Sequence, residues 1–207
     1  MIEIKDAILS IGGHNVLNKV SLTARDGQLT AVCGGNGSGK TTLLKAMAGL
    51  LPLDSGYVTI DTELLEPATA NYFRSQMAYI PQHIDVPERM SVDELFKLLS
   101  VTRAPKTAKQ QKQQAADLWA KLQLDDQLWT KTFASLTISE KRRIMLSFVL
   151  TAPCHIVIAD EPTEGLTPDE AETVRTLLRD SATNGSAVLV ATKDAALESQ
   201  ADAKYML

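Results

Sequence analysis

The residues Gly34-Gly35-Asn36-Gly37-Ser38-Gly39-Lys40-Thr41 fit the spacing GxxxxGK[ST]. Glycines at these places let a short loop turn its backbone N–H groups inward on phosphate oxygens, and a helix beginning directly behind the loop adds the positive end of its dipole. Gly35, Asn36, Gly37, Ser38 and Gly39 would form the cradle. Lys40 would reach the β and γ phosphates, Thr41 would offer a hydroxyl to magnesium, and Thr42 could donate to the α phosphate. A second group lies far along the chain, where His155-Ile156-Val157-Ile158-Ala159 runs straight into Asp160-Glu161-Pro162. Of two carboxylates at a strand end, one can hold a magnesium ion, usually through water, and the next can orient or deprotonate an attacking water. On their own the two acids could merely cap the next helix; beside a phosphate loop the catalytic reading is the stronger one.

The elements that must position these groups are legible in the pattern. Residues 29–33 are a short apolar strand ahead of the loop, and residues 42–47 begin an apolar-periodic helix behind it. Further strands are expected at 2–9, 16–24, 57–61 and 77–80, punctuated by Gly12-Gly13, Asp26-Gly27 and Asp54-Ser55-Gly56. Helical patterns fill about 91–150, followed by strands at 155–159 and 187–192, a helix over 168–181 between them, and a last strand-like segment at 203–206. Buried strands alternating with helices indicate an α/β fold with a mostly parallel sheet, whose ligands collect at the carboxyl ends of the strands. One domain over 1–207 is expected, with residues 1–82 and 151–207 forming the core and its N-terminal β part, and residues 83–150 a helical insertion.

Composition sets the limits. A chain of 207 residues, 44% of them hydrophobic, can bury a sizeable core. The net charge of −4 gives no reason to expect a nucleic acid or an anionic membrane as main partner, so any phosphate must be held locally. Cys33 and Cys154 form neither a disulfide framework nor a metal-spaced cluster, and are read as small buried hydrophobes in a reducing compartment. The first ten residues alternate like a strand rather than a signal peptide, and no window approaches the ~18 to 20 apolar residues of a membrane span. A soluble, cytoplasmic chain is the expectation. The tract at 104–116, rich in Lys and Gln, reads as the solvated face of a helix.

With GGNGSGKTT, YIPQ and IADEPTEGLTP in this order, the sequence resembles the ATP-binding cassette (ABC) ATPases over nearly its whole length. The resemblance implies a P-loop NTPase core with an N-terminal antiparallel β subdomain and an inserted helical subdomain. It implies ATP and Mg2+ as cofactors, with Thr41, Gln82 and Asp160 near the metal. Gln82 would be the family's γ-phosphate sensor, and Glu161 the catalytic carboxylate. The segment 85–99 looks like the start of the helical subdomain, which in transporters of the family docks a coupling helix of the membrane subunit.

Four positions depart from the family pattern. Lys193 stands where a histidine usually contacts the γ phosphate; it keeps a positive donor but cannot accept a hydrogen bond. It could hold ATP without relaying the geometry around Glu161, or point to solvent. The signature appears as Leu136-Thr137-Ile138-Ser139-Glu140, with Arg143 supporting that register. Thr137 and Ser139 would face the nucleotide of an opposite subunit, but Ile138 crowds an approach that glycine leaves open. Thr137 and Glu140 equally fit a helix capping box. Thr167 replaces an aspartate while remaining a good helix cap ahead of Pro168. Ile11 stands where an aromatic residue stacks on adenine, so it could pack on the base without stacking.

The resemblance thus implies the ATP-binding subunit of an ABC transporter, an ATPase slowed by Ile138, Thr167 and Lys193. It would form a head-to-tail dimer with itself or a second ABC ATPase and lie on the inner face of a membrane through an integral membrane subunit. A regulatory subunit that binds ATP but hydrolyses it poorly, and a soluble ABC ATPase serving an assembly process, are the other readings left open. Cargo and direction of transport are not written in these residues.

Overall fold

The computed structural model describes residues 1–87, 89–101, 108–151 and 154–207, leaving aside the side chains at 100, 101 and 108–111. The chain divides into two compact units: residues 1–82, 154–162 and 177–207, and residues 83–153 and 163–176.

In the first unit, β1 (Ile2–Ile11) and β2 (His14–Ala24) form a hairpin whose pairing continues to Ile11 opposite His14. Both strands are therefore longer than their apolar alternation suggested. Next come β3 (Leu29–Cys33), α1 (Lys40–Met47), β4 (Ser55–Ile60), β5 (Glu63–Leu64), α2 (Ala70–Ser75) and β6 (Met77–Ile80). One sheet, ordered β2-β1-β4-β5, is antiparallel throughout.

The second unit carries α3 (Val92–Val101), α4 (Ala108–Lys121) and α5 (Ile138–Leu150). Short 3-10 turns at Asp126–Thr130 and Phe133–Ser135 lead into α5. Its core is aromatic: Trp119 stacks on Trp129 at 4.2 Å between centroids, and Phe96 packs edge-on to Trp129 and against Phe148. Trp119 is fully buried, so its indole N–H needs a partner, and donates to Ser147 Oγ at 2.9 Å. Lys112 lies over the Trp129 ring and pairs with Asp93, in keeping with the exposed Lys and Gln face expected there. Residues 104–107 of that tract lie outside the described residues.

The chain then supplies β7 (Ile156–Asp160), α6 (Pro168–Thr183), β8 (Ala187–Ala191), α7 (Ala195–Ser199) and β9 (Ala203–Met206). The second sheet of the first unit, ordered β6-β7-β8-β3-β9, is parallel in every pairing. Strands β3, β7 and β8 are buried at every residue, which explains why they are apolar apart from Thr30 and Asp160. Leu43, Leu44 and Met47 of α1 share one core with Ile2, Ile4 and Ile60 of the antiparallel sheet and Ile156, Ile158 and Leu189 of the parallel one. So α1 is clamped between the sheets, and the loop before it is anchored at both ends. Strand β7 starts one residue later than the apolar run suggested, so Asp160 closes the strand and His155 stands outside it. Cys33 is buried as expected; Cys154 is only half-buried, and the two are not joined in a disulfide.

Candidate functional site

The phosphate loop joins the fully buried β3 to the first turn of α1. Gly39 caps that helix with a left-handed φ of 100°, and a Cβ there would lie 3.0 Å from the Val16 carbonyl oxygen, so glycine is needed both for conformation and for space. Lys40 is buried at 7% exposure, and its Nζ donates to the carbonyls of Gly34 and Gly35 at 2.8 and 2.9 Å. Those carbonyls hold the ammonium at the loop, where phosphate oxygens could take over as acceptors.

The neighbouring strand ends supply the acids. Asp160, the last residue of β7, is 1% exposed, and Glu161 follows it at 7% exposure with a φ of 46°. A non-glycine residue in that region is uncommon and carries backbone strain that its surroundings must hold. The turn is fixed by the Glu161 N–H, which donates to the Ala191 carbonyl on β8 at 2.9 Å. Glu161 Oε2 accepts the backbone N–H of Lys193 at 3.1 Å, and Lys193 Nζ stands 3.9 Å from Oε1. Burial pushes the Glu161 carboxyl above the usual range, opposed by the Lys193 N–H and then by the Lys193 and Lys40 charges. Lys193 thus turns toward Glu161 rather than away into solvent. Nearby, burial and the Asp160 charge push the Tyr79 hydroxyl up to about 12.

These parts meet in one cavity of about 230 Å³ lined by the loop from Asn36 to Thr42 with Gln82, Asp160, Glu161, Lys193 and Val16. Lys40, Thr41, Thr42 and Asn36 to Gly39 are where the sequence put them; Gly35 contributes a carbonyl to Lys40. Ile11 is not among the lining residues and is 51% exposed at the end of β1. The apolar side chain in this wall is Val16, on β2. Sequence reasoning passed it over because nothing but the hairpin register brings it there.

The donor set suits magnesium. A hydroxyl from Thr41, an amide oxygen from Gln82 and a carboxylate from Asp160 are hard oxygen ligands, and all three line the same cavity. They leave room for waters and phosphate oxygens, as a Mg2+ site bound together with its nucleotide requires.

The signature region belongs to the second unit. Thr137 caps α5 in a complete capping box: its hydroxyl accepts from Glu140 N–H at 3.2 Å, and Glu140 Oε2 accepts from Thr137 N–H at 2.7 Å. Hydrogen bonds from Thr137 hold the Glu140 carboxyl below its ordinary value. Ile138 is 70% exposed, with Cγ2 only 3.0 Å from where a Cβ on Gly165 would stand. Ser139 Oγ donates to Glu170 at 2.9 Å and accepts from Arg143 Nε at 3.1 Å. Arg143, 8% exposed, also pairs with Glu170 at 2.9 Å and donates to the Leu122 and Gln123 carbonyls. Glu170 closes a second box by accepting from Thr167 N–H at 2.9 Å. Burial pushes the Glu170 carboxyl up, but Thr167, Ser139 and Arg143 together hold it below its ordinary value. Thr167, one of the departing positions, is thus built into the framework of this unit, while the Ile138 side chain stays exposed at the start of α5. No sequence pattern announced the Glu170–Arg143–Ser139 cluster.

The family model described as ABC transporter matches residues 17–164. The hemin import ATP-binding protein HmuV of Thermobifida fusca (strain YX) is 33% identical over 192 residues, covering 91% of this chain and 66% of that protein. The lipopolysaccharide export system ATP-binding protein LptB of Escherichia coli (strain K12) is 30% identical over 181 residues, covering 86% of this chain and 74% of that protein. ABC transporter G family member 4 of Arabidopsis thaliana is 27% identical over 175 residues, but this chain spans only 30% of its length. Among solved structures, an ATP-binding subunit of an ABC transporter superposes with a TM-score of 0.91 at 24% identity, covering 100% of this chain and 85% of the other. A dimeric bacterial ABC transporter cassette gives 0.89 at 21%, covering 100% and 94%. At those identities the structures speak for the fold alone. No helix among the described residues is long and apolar enough to cross a membrane.

Proposed function

Since the chain belongs to the ABC transporter family of ATP-binding proteins, we propose that it binds Mg-ATP on the β3–α1 loop and hydrolyses it to drive a separate membrane subunit. The observation that carries this reading is the single cavity holding Lys40, Thr41, Gln82, Asp160 and Glu161 together. In it, Gly35 to Gly39 present backbone N–H groups to the phosphates, Lys40 exchanges its two carbonyl acceptors for phosphate oxygens, and Thr42 donates to the α phosphate. Thr41, Gln82 and Asp160 would hold magnesium, which when bound neutralises charge developing between the β and γ phosphates. Glu161, presented by its left-handed turn, orients and deprotonates the attacking water. The Lys193 N–H fixes one of its oxygens, and the Lys193 ammonium keeps a positive charge beside it.

The HmuV and LptB relatives are each named as the ATP-binding protein of an import or export system, which supports a membrane partner for this chain. A dimeric cassette among the structural neighbours supports a head-to-tail pair in which Thr137 and Ser139 face the nucleotide of the other copy or of a second ABC ATPase. Such a chain would lie at the inner face of a membrane. Titration of the purified chain with a fluorescent ATP analogue tests the site: Lys40→Ala should lose most of the binding, and undiminished affinity in that variant would overturn the assignment.

A further inference from the structure

Three side chains meet at the other end of β7, away from the phosphate loop. His155 immediately precedes the strand, Asp26 lies in the turn between β2 and β3, and Asp61 follows β4. The five residues of β7 separate them from Asp160 by roughly 17 Å. His155 Nε2 is 2.9 Å from Asp61 Oδ2 and 3.7 Å from Asp26 Oδ1, and one ligand atom from each residue lies within 4.8 Å of the others. The mechanism above uses none of them.

A cation already sits at this cluster. The amino-terminal ammonium is 2.5 Å from Asp26 Oδ1, 2.7 Å from Asp61 Oδ1 and 3.4 Å from His155 Nε2, so the three donors converge on one positive centre. Four tetrahedral donors at zinc distances of about 2.0 to 2.1 Å stand about 3.3 Å from one another. Two of the observed separations, 2.9 and 3.7 Å, lie on either side of that value, and the third is no more than 4.8 Å. One imidazole and two carboxylates suit a borderline first-row metal better than Mg2+ or Ca2+, which favour oxygen alone. We infer that His155, Asp26 and Asp61 form a binding site for a divalent cation of the zinc class, separate from the nucleotide site. The cation takes the seat of the ammonium, and water or the freed amine supplies the fourth ligand. Bound there, it ties two turns of the antiparallel sheet's strands to the start of β7, a structural clasp rather than a second reaction centre.

The test titrates the full chain, stripped with chelator and held in excess Mg2+, with Zn2+ and with Co2+ as a spectroscopic probe. One equivalent of Zn2+ should bind by calorimetry, Co2+ should show visible d–d absorption, and Co2+ should strongly shift the ring signals of His155 among the three histidines. His155→Gln and Asp61→Asn should each weaken binding at least tenfold while keeping the far-UV spectrum and ATP binding, and Cys154→Ser should leave metal binding unchanged. The wild-type histidine signals decide the matter even if a variant fails to fold. The proposal is overturned if the wild type shows no saturable binding, if Co2+ spares the His155 ring, or if binding survives both ligand substitutions or disappears with Cys154→Ser.

Discussion

Replacing Lys193 by Met removes the ammonium beside Glu161 while leaving the backbone N–H that donates to Oε2 at 3.1 Å. The charge effect is thereby isolated from the positioning effect. At 3.9 Å, two unit charges attract by about 4 kcal/mol at an effective dielectric of 20 and by about 1 kcal/mol in water. The Lys193 side chain is 48% exposed, so solvent screening brings the value to about 0.5 to 1 kcal/mol. That corresponds to about half a pH unit. Burial already raises the Glu161 carboxyl and Lys193 opposes the rise, so losing the ammonium must move it further up. The ionised base then forms at higher pH. The assay is ATP turnover against pH, read as kcat/KM, which reports groups of the free enzyme. In Lys193→Met the acid limb should move up by about half a unit, with the two proteins converging at alkaline pH, while Lys193→Arg should stay within about 0.2 of the wild type. An unmoved limb, or one displaced downward in Lys193→Met, would refute the argument.

Two further outcomes follow from charges outside the cavity. Glu170→Ala leaves the buried Arg143 with only neutral acceptors, the Leu122 and Gln123 carbonyls and Ser139 Oγ, and should destabilise the chain by about 3 kcal/mol, the low end for breaking a buried pair; urea unfolding followed by tryptophan fluorescence reads it, and a loss under about 1 kcal/mol would contradict it. Asp202 accepts from Arg179 at 2.6 Å and from Leu29 N–H at 2.8 Å, and these bonds, Arg179 first, hold its carboxyl below the ordinary value. The stability it contributes is present above the unfolded carboxylate value and is lost as pH falls through the lowered one; because the pair is about one-third exposed, Asp202→Asn should remove no more than about 1 kcal/mol of acid sensitivity, measured as thermal stability at pH 7 against pH 3.

The strands over 29–33 and 77–80 were legible to the residue because short, mostly apolar runs end there at Gly34 and Pro81, and the segment 203–206 was read to the same bounds that the fold shows. The phosphate loop was legible because its chemistry is local: eight consecutive residues carry both spacing and context. Long-range contacts were harder to read. The Lys193 position was recognised from the family pattern, yet whether its side chain met Glu161 or solvent depended on a turn 32 residues earlier. Val16 lines the cavity because hairpin register, which its residue type does not reveal, brings it to the wall. Thr137 and Glu140 announced a capping box within four residues, whereas Glu170 with Ser139 and Arg143 spans about thirty and has no periodic trace. Short elements such as β5 and α2 fell below any periodicity, since two or six residues complete too few repeats to register.

The most direct measurement is steady-state release of phosphate from Mg-ATP by the purified wild-type chain and by Glu161→Gln, with nucleotide binding measured on both. The account predicts turnover in the wild type that falls by at least ~10² in Glu161→Gln while ATP is still held through Lys40 and the loop. Turnover that is the same in both proteins, or a wild type that binds no ATP, would contradict it.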